Sequence, residues 1–291
     1  MADDSRAGTD AAPLRALPGS TPLVFDSPHS GTWYPPDFDH ACDRALLRRA
    51  EDTHVEKLYA FAPDLGIAWI EALFPRSYLD ANRSEREIDS EMLDGAWPGA
   101  LETDPVILSK VRLGKGLIWR NLDDGEAVYA RRLRPQEVQE RIESYWRPYH
   151  AAVAQAIEAA HARHGYSIHL NCHSMPAIAA TFATDYPGLA HADFVVGDRD
   201  GTTADPRLTA RLADFLRGRG YDVEVNFPYK GVELVRRYGD PARQRHSIQL
   251  EVNRKLYMDE DTLELHAGSE RLQADLRAMA EMLLGLDPRG L

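Results

Sequence analysis

From Pro22 onward, short runs of strand-forming residues alternate with segments of helical periodicity, and this alternation restricts the chain to a layered α/β domain rather than separate all-β and all-α parts. Strands are predicted over 22–27, 68–73, 78–82, 117–121, 167–172, 193–197, 222–227 and 247–252, most of them short and bounded by Gly, Pro or Asp. A long, Ala-rich helix is predicted from Arg134-Pro135 to Gly165, since Pro is tolerated in a first turn, where its missing N–H has no intrahelical partner. Further helices are predicted over 43–61, over 205–217 after an Asp-Pro start signal, and over 259–284. In the last of these Leu263, Leu272, Leu276, Met279 and Leu283 recur at roughly helical spacing. These helices are expected to cover the sheet faces. Residues 84–113 are rich in Glu, Asp, Gly and Pro, show little periodicity, and read as a functional lid or a mobile insertion. No internal repeat is apparent, so residues 21–291 are expected to form one domain behind a flexible segment, 1–20.

A chain of 291 residues buries a core that needs no disulfide or structural metal. Its 34 Lys and Arg against 46 Asp and Glu give a formal charge of −12, which repels phosphate backbones and anionic membrane surfaces and argues against nucleic acid as a partner. Cys42 and Cys172 are too few for a disulfide framework or a four-cysteine zinc site. The polar, acidic start (MADDSRAGTD) does not read as a signal peptide, and no run reaches the roughly 18 apolar residues of a membrane span. A cytoplasmic location is expected.

The candidate site comes from polar residues on strands that ought to be buried. In Ser167-Ile168-His169-Leu170-Asn171-Cys172-His173 the period of two sets His169, Asn171 and His173 on one face and Ile168, Leu170 and Cys172 on the other. Ser247, Gln249 and Glu251 repeat the pattern. A half-buried strand facing water alternates in the same way. Two further segments strengthen the functional reading, since Tyr78 to Arg83 ends in a polar cluster and the strand from Leu23 runs into a turn holding His29. Ligands of open α/β sheets collect at the carboxyl ends of strands, so His29, Asn82, Arg83, His173 and Glu251 all lie where a site should form.

Two imidazoles with a carboxylate suit a catalytic zinc, which takes three protein ligands and leaves a fourth position for water. The segment Glu51-Asp52-Thr53-His54-Val55-Glu56 offers the carboxylate. Asp52 is the chosen ligand, with Glu56 as the alternative, while Asp52 or Thr53 could equally cap the following helix. His54 and Glu56 are candidates for orienting ligands through hydrogen bonds. His161 and His164 fit a solvated helix end, Cys172 a small core residue, and Leu113 to Gly116 lacks the ending of a phosphate loop. Asp198 to Thr202 reads as a turn whose concentrated charge is also a candidate for contact with the site.

These residues together resemble the N-formylglutamate amidohydrolase family, zinc enzymes related in fold to the zinc carboxypeptidases. The carriers are Ser27-Pro28-His29-Ser30-Gly31 with Pro35-Pro36, Asp52 to Tyr59, Asp80 to Arg83, Asn171 to Pro176, Asp198 to Thr202, Asn226 to Gly231 and His246 to Glu260. The resemblance implies a zinc-exopeptidase-like α/β fold with a mixed, mostly parallel sheet flanked by helices on both faces. It implies zinc on His29, Asp52 and His173, a substrate carboxylate held by Asn82 and Arg83, and Glu251 as base. The carboxypeptidase His-x-x-Glu is absent because Thr32 occupies the fourth position, so the carboxylate ligand must come from elsewhere. The implied reaction is hydrolysis of an N-acyl amino acid with a free carboxylate, N-formyl-L-glutamate to formate and glutamate. Alternatives are a different N-acyl amino acid, a C-terminal peptide bond, or non-catalytic binding of acidic small molecules. An acidic protein needs a local basic patch for such a substrate, and Arg83, Lys230, Arg236 and Arg237 are its candidates. Lys230 to Gly239 departs from the family's Gly-Gly followed by Thr-Arg, which bears on the acyl or amino-acid pocket.

Overall fold

A computed structural model describes residues 12–122, 124–180 and 186–291. Seven strands form one sheet: β1 (Leu14–Leu17), β2 (Leu23–Ser27), β3 (Ala68–Ala72), β4 (Ser167–Met175), β5 (Phe194–Gly197), β6 (Val223–Val225) and β7 (Arg245–Asn253). Their spatial order is β1-β3-β2-β4-β7-β5-β6. β1 runs antiparallel to β3, and β5 antiparallel to β7, while the other pairings are parallel. The fold is thus the expected single α/β domain with a mixed, mostly parallel sheet. Part of the segment expected to be flexible, Leu14–Leu17, pairs on β3 as an edge strand too short for its alternation to show in sequence.

Eight α-helices are described: α1 (Arg44–Arg49), α2 (Val55–Leu58), α3 (Pro105–Arg112), α4 (Pro135–Arg141), α5 (Arg147–His164), α6 (Pro206–Gly218), α7 (Glu233–Tyr238) and α8 (Gly268–Leu284). The apolar rows of the strands, including Leu23, Phe25, Ile168, Leu170, Cys172, Ile248 and Leu250, pack against Val55 and Leu58 of α2, Leu208 and Leu212 of α6, and Leu272, Leu276 and Met279 of α8. The opposite face is covered by Val138 of α4, Val153 and Ile157 of α5, and buried loop residues such as Leu79, Ile88, Met92 and Leu117. Residues 84–113 are therefore partly core-forming, and they carry α3 and a short 3-10 turn at Ser90–Met92.

Four expectations are corrected by tertiary bonding. Residues 78–82 and 117–121 belong to no strand, although the Asp80 amide donates to the Leu117 carbonyl at 2.7 Å. The helix foreseen over 43–61 breaks into α1 and α2, because the Asp52 amide donates to the His29 carbonyl at 3.0 Å and His54 adopts a left-handed φ of 68°. The helix foreseen over 135–165 keeps its direction but carries one π-helical turn, Ile142–Trp146, between α4 and α5. That over 259–284 starts only at Gly268, since the Asp259 side chain accepts from the amides of Asp261 and Thr262 and holds a turn there.

Candidate active site

On the polar face of the sheet, side chains line up in lateral rungs. Asp26, Asn171 and Gln249 are register partners across β2, β4 and β7, and His173 and Glu251 are partners one step nearer the carboxyl ends. Three donors saturate the buried Asp26 carboxylate: Tyr149 Oη at 2.7 Å, His169 Nε2 at 2.9 Å and Asn171 Nδ2 at 2.9 Å. Burial raises the Asp26 pKa, but His169 and the hydrogen bonds outweigh it and hold the carboxyl below its ordinary range. This network fixes Asn171 with its Oδ1 toward His173, whose Nε2 lies 2.7 Å away.

His29, Asp52 and His173 meet at the upper end of this face, all buried, with one ligating atom of each within 4.8 Å of the others. Asp52 Oδ2 lies 2.9 Å from His173 Nδ1 and 3.4 Å from His29 Nδ1. The far nitrogens are committed elsewhere. His29 Nε2 donates to Asp80 Oδ1 at 2.6 Å, and a carboxylate oxygen can only accept. On His173 a proton on Nε2, directed to the Asn171 oxygen, gives the same tautomer, the one that a metal on Nδ1 needs. Both Nδ1 lone pairs then face a buried carboxylate oxygen, and His29 Nδ1 has no hydrogen-bond partner. A cation would satisfy such a convergence of lone pairs, and the set of two imidazoles and one carboxylate fits a divalent metal with Asp80 and Asn171 orienting the rings. The choice of Asp52 over Glu56 agrees with this geometry. Glu56 lies off the cluster and is pushed up to about 7 by burial, with Glu71 adding to the rise. His54 Nε2 donates to the Leu263 carbonyl, 2.8 Å away, so neither residue orients a ligand as expected.

Two arginines that sequence reasoning did not single out brace the centre. The second Asp52 oxygen lies 3.4 Å from both Arg76 Nη1 and Arg254 Nη2. Arg254 also donates to the carbonyls of Arg49 and Glu51 and to Ser174 Oγ, tying the turn before Asp52 to the ends of β4 and β7. Burial would raise the Asp52 carboxyl, but His173, His29 and Arg76 hold it well below the usual range. Asp80 entered the sequence reading as part of a polar cluster and of the Asp80 to Arg83 stretch that carries the resemblance, without a role of its own. The only sequence signal for its role was its place two residues before Asn82.

Glu251 is buried beside His173, and Gln249 Nε2 donates to its Oε1 at 2.8 Å. Burial pushes its pKa up, His173 opposes the rise and Asp52 adds to it. The Asn82 amide is fully engaged: its oxygen accepts from the Leu234 amide, and its nitrogen donates to Asn171 Oδ1 at 3.2 Å and Gln249 Oε1 at 3.4 Å. Asn82 thus braces the site from within instead of offering the spare donor expected of it. Arg83 differs. Its side chain is 13% exposed, and among the described residues its ion pairs are with Asp80 at 3.8 Å and Glu87 at 3.7 Å and no hydrogen bond fixes its guanidinium. Lys230 and Arg237 do not supply the expected basic patch. Lys230 Nζ pairs with Asp200 at 2.8 Å on the surface. Arg237 pairs with Glu233 at 2.6 Å and lies over the Trp146 ring, and Arg236 pairs with the same Glu233.

The family model described as N-formylglutamate amidohydrolase matches residues 21–258. The chain is 29% identical over 279 residues to an N-formylglutamate deformylase of Pseudomonas aeruginosa, covering 91% of this chain and 94% of the relative. It is 30% identical over 251 residues to one of Pseudomonas putida, covering 83% and 84%. The crystal structure of N-formylglutamate amidohydrolase from Ralstonia eutropha JMP134 is similar with a TM-score of 0.88 and 44% identity, over 97% of this chain and 100% of that one.

Proposed function

The chain belongs to the N-formylglutamate amidohydrolase family, and from that premise we propose that it hydrolyses the amide of an N-acyl amino acid, N-formyl-L-glutamate being the first candidate, to formate and L-glutamate. The observation that carries this reading is the convergence of His29 Nδ1, His173 Nδ1 and Asp52 Oδ2 beside Glu251. The names of the relatives support the substrate. Zinc is the metal we assign to the three ligands. When bound there, it would polarise the amide carbonyl and lower the pKa of water.

The chain's own groups do the rest. Glu251 takes a proton from the attacking water and returns it to the departing nitrogen as the formyl C–N bond breaks and a C–O bond forms. Gln249 holds that carboxylate in place at 2.8 Å. Arg83, whose guanidinium makes only long ion pairs with Asp80 and Glu87, receives the substrate α-carboxylate through its planar fork. Asp80 and Asn171 keep the ligand rings in the tautomer that presents Nδ1. A cytoplasmic location is part of this proposal, supported by two cysteines that are free and buried. Among the described residues no helix is long and apolar enough to cross a membrane.

Elemental analysis of purified wild type and His173→Ala, with a panel of N-formyl and N-acetyl amino acids, tests this reading. About one equivalent of zinc, lost in the variant, and fastest turnover of N-formyl-L-glutamate are expected. Faster turnover of another acyl amino acid or of a C-terminal peptide bond would move the substrate. Full zinc without any turnover would make the protein a binder.

A further inference from the structure

The proposed substrate carries two carboxylates, and the site described so far has a receiver for one. The remaining cations at its rim fall into two groups. Lys230 is bound to Asp200, and Arg236 and Arg237 share Glu233. Arg199 is different. Among the described residues it has no carboxylate within ion-pair distance, because the nearby Asp200 and Glu233 are taken by those other cations. It is half-buried, and burial together with the neighbouring Arg236 charge destabilises its guanidinium.

The backbone brings this arginine to the site. Arg199 follows β5, whose last residue, Gly197, is the register partner of Gln249. Its φ of 52° is left-handed, a conformation that costs a non-glycine residue of this kind about 1 kcal/mol or more and persists only where the surroundings hold it. The Arg199 amide donates to the Lys230 carbonyl, and its Nη1 donates to the Gly231 carbonyl, both at 2.9 Å. Gly231 lies against Gln249, since a Cβ built on it would stand 3.5 Å from Gln249 Cβ. The next amide, Val232 N, reaches Gln249 Oε1 at 3.3 Å, and Gln249 in turn holds Glu251. A short bonded chain thus runs from the proposed base to the guanidinium, one of whose nitrogens is used to fix its place.

From this geometry we infer that Arg199 receives the side-chain carboxylate of the substrate and is the residue that selects an acidic amino acid. The inference rests on the hydrolytic reading above and deepens it. Arg83 holds the α-carboxylate common to all amino acids, and Arg199 reads the side chain. The fixed nitrogen on Gly231 leaves the rest of the fork for a carboxylate, which a neutral amide of the same shape satisfies less well.

Calorimetric titration of the full chain with L-glutamate and with L-glutamine tests it, as neither carries an N-acyl bond. Wild type should prefer glutamate, and Arg199→Gln should reduce that preference about 30-fold, the size expected for a charge-assisted hydrogen-bonded pair. Arg199→Lys, which keeps the charge without the fork, should fall between the two and decides the matter if the glutamine variant does not fold. A preference unchanged in the variants overturns the inference, even if both affinities fall together, because Arg199 would then only brace its loop. Equal binding of both ligands by wild type overturns it too. Failure of the hydrolytic reading appears separately, as a wild type that prefers glutamate yet turns over no acyl amino acid.

Discussion

Replacing Asp80 by Asn should weaken zinc binding about 100-fold, although Asp80 is not a ligand. In the native site Oδ1 accepts from His29 Nε2 at 2.6 Å and from the Asn82 amide at 2.9 Å, while Oδ2 accepts from Arg76 Nη2 at 3.2 Å and Trp119 Nε1 at 3.4 Å. Four donors therefore surround a group that must accept from all of them. An asparagine of the same shape turns its NH2 toward one pair of donors whichever way it is placed. The least costly escape is for His29 to move its proton from Nε2 to Nδ1, and Nδ1 is then no longer available to a metal. Partners of this kind are worth 10- to 100-fold in metal affinity, and the forced change of tautomer places the variant at the upper end, ~2.7 kcal/mol. Competition with a chromogenic chelator measures the zinc dissociation constant, and circular dichroism of the metal-free variant checks that the fold persists. Native-like affinity in a folded Asp80→Asn protein would refute the assignment of Nδ1 as the ligating atom of His29.

The other expectations concern the remaining groups. Glu251→Gln should retain zinc and lose about a thousandfold in kcat, and loss of zinc from that variant would make Glu251 a ligand instead. Arg83→Ala should mainly raise KM for carboxylate substrates, and an unchanged KM would remove Arg83 from binding. Glu56 offers a pH signature, because burial pushes its carboxyl from an ordinary 4.5 up to about 7. A folded pKa above the unfolded one means the native state holds the extra proton, so this contribution is fully present below pH 4.5 and is lost as pH rises through 7. Glu56→Gln should therefore gain stability over wild type at pH 8 relative to pH 4, by about 2 kcal/mol, measured as the difference in urea unfolding at the two values. An equal effect at both would show that burial of this carboxyl costs nothing.

The sheet and its polar face were legible because β4 and β7 alternate without exception from Ser167 to His173 and from Ser247 to Val252. His29, Asp52, His173 and Glu251 are brought together as that pattern suggested, since strand ends in an α/β sheet converge by topology. What the pattern concealed is the work of residues that act through others. Asp80, Arg76 and Arg254 lie in loops without periodicity, and their roles exist only once chain segments far apart in sequence are neighbours. The break at Glu51 to His54 was hidden for a related reason. Local propensity favours one helix from Asp43 to Phe61, and the bond from the Asp52 amide to His29, the left-handed His54 and the bonds from Arg254 to the Arg49 and Glu51 carbonyls oppose it. Lys230 and Arg237 were misjudged because a formal charge in a sequence says nothing of the carboxylate that will neutralise it.

The rungs across β2, β4 and β7 also bear on how the chain finds its fold. Side chains on a strand alternate between faces, so a slip of β7 by one residue against β4 would turn Glu251 and Gln249 into the apolar layer beneath α6 and α8 and lift Leu250 and Val252 onto the polar one. That slip would strand a carboxylate among leucines and leave the Asn82 amide without Gln249. Misaligned pairings are thereby penalised by the same side chains to which we assign the chemistry. The proposed base and its neighbours act as a key for strand register, and substitutions that blunt activity should also loosen the fidelity with which the central sheet is assembled.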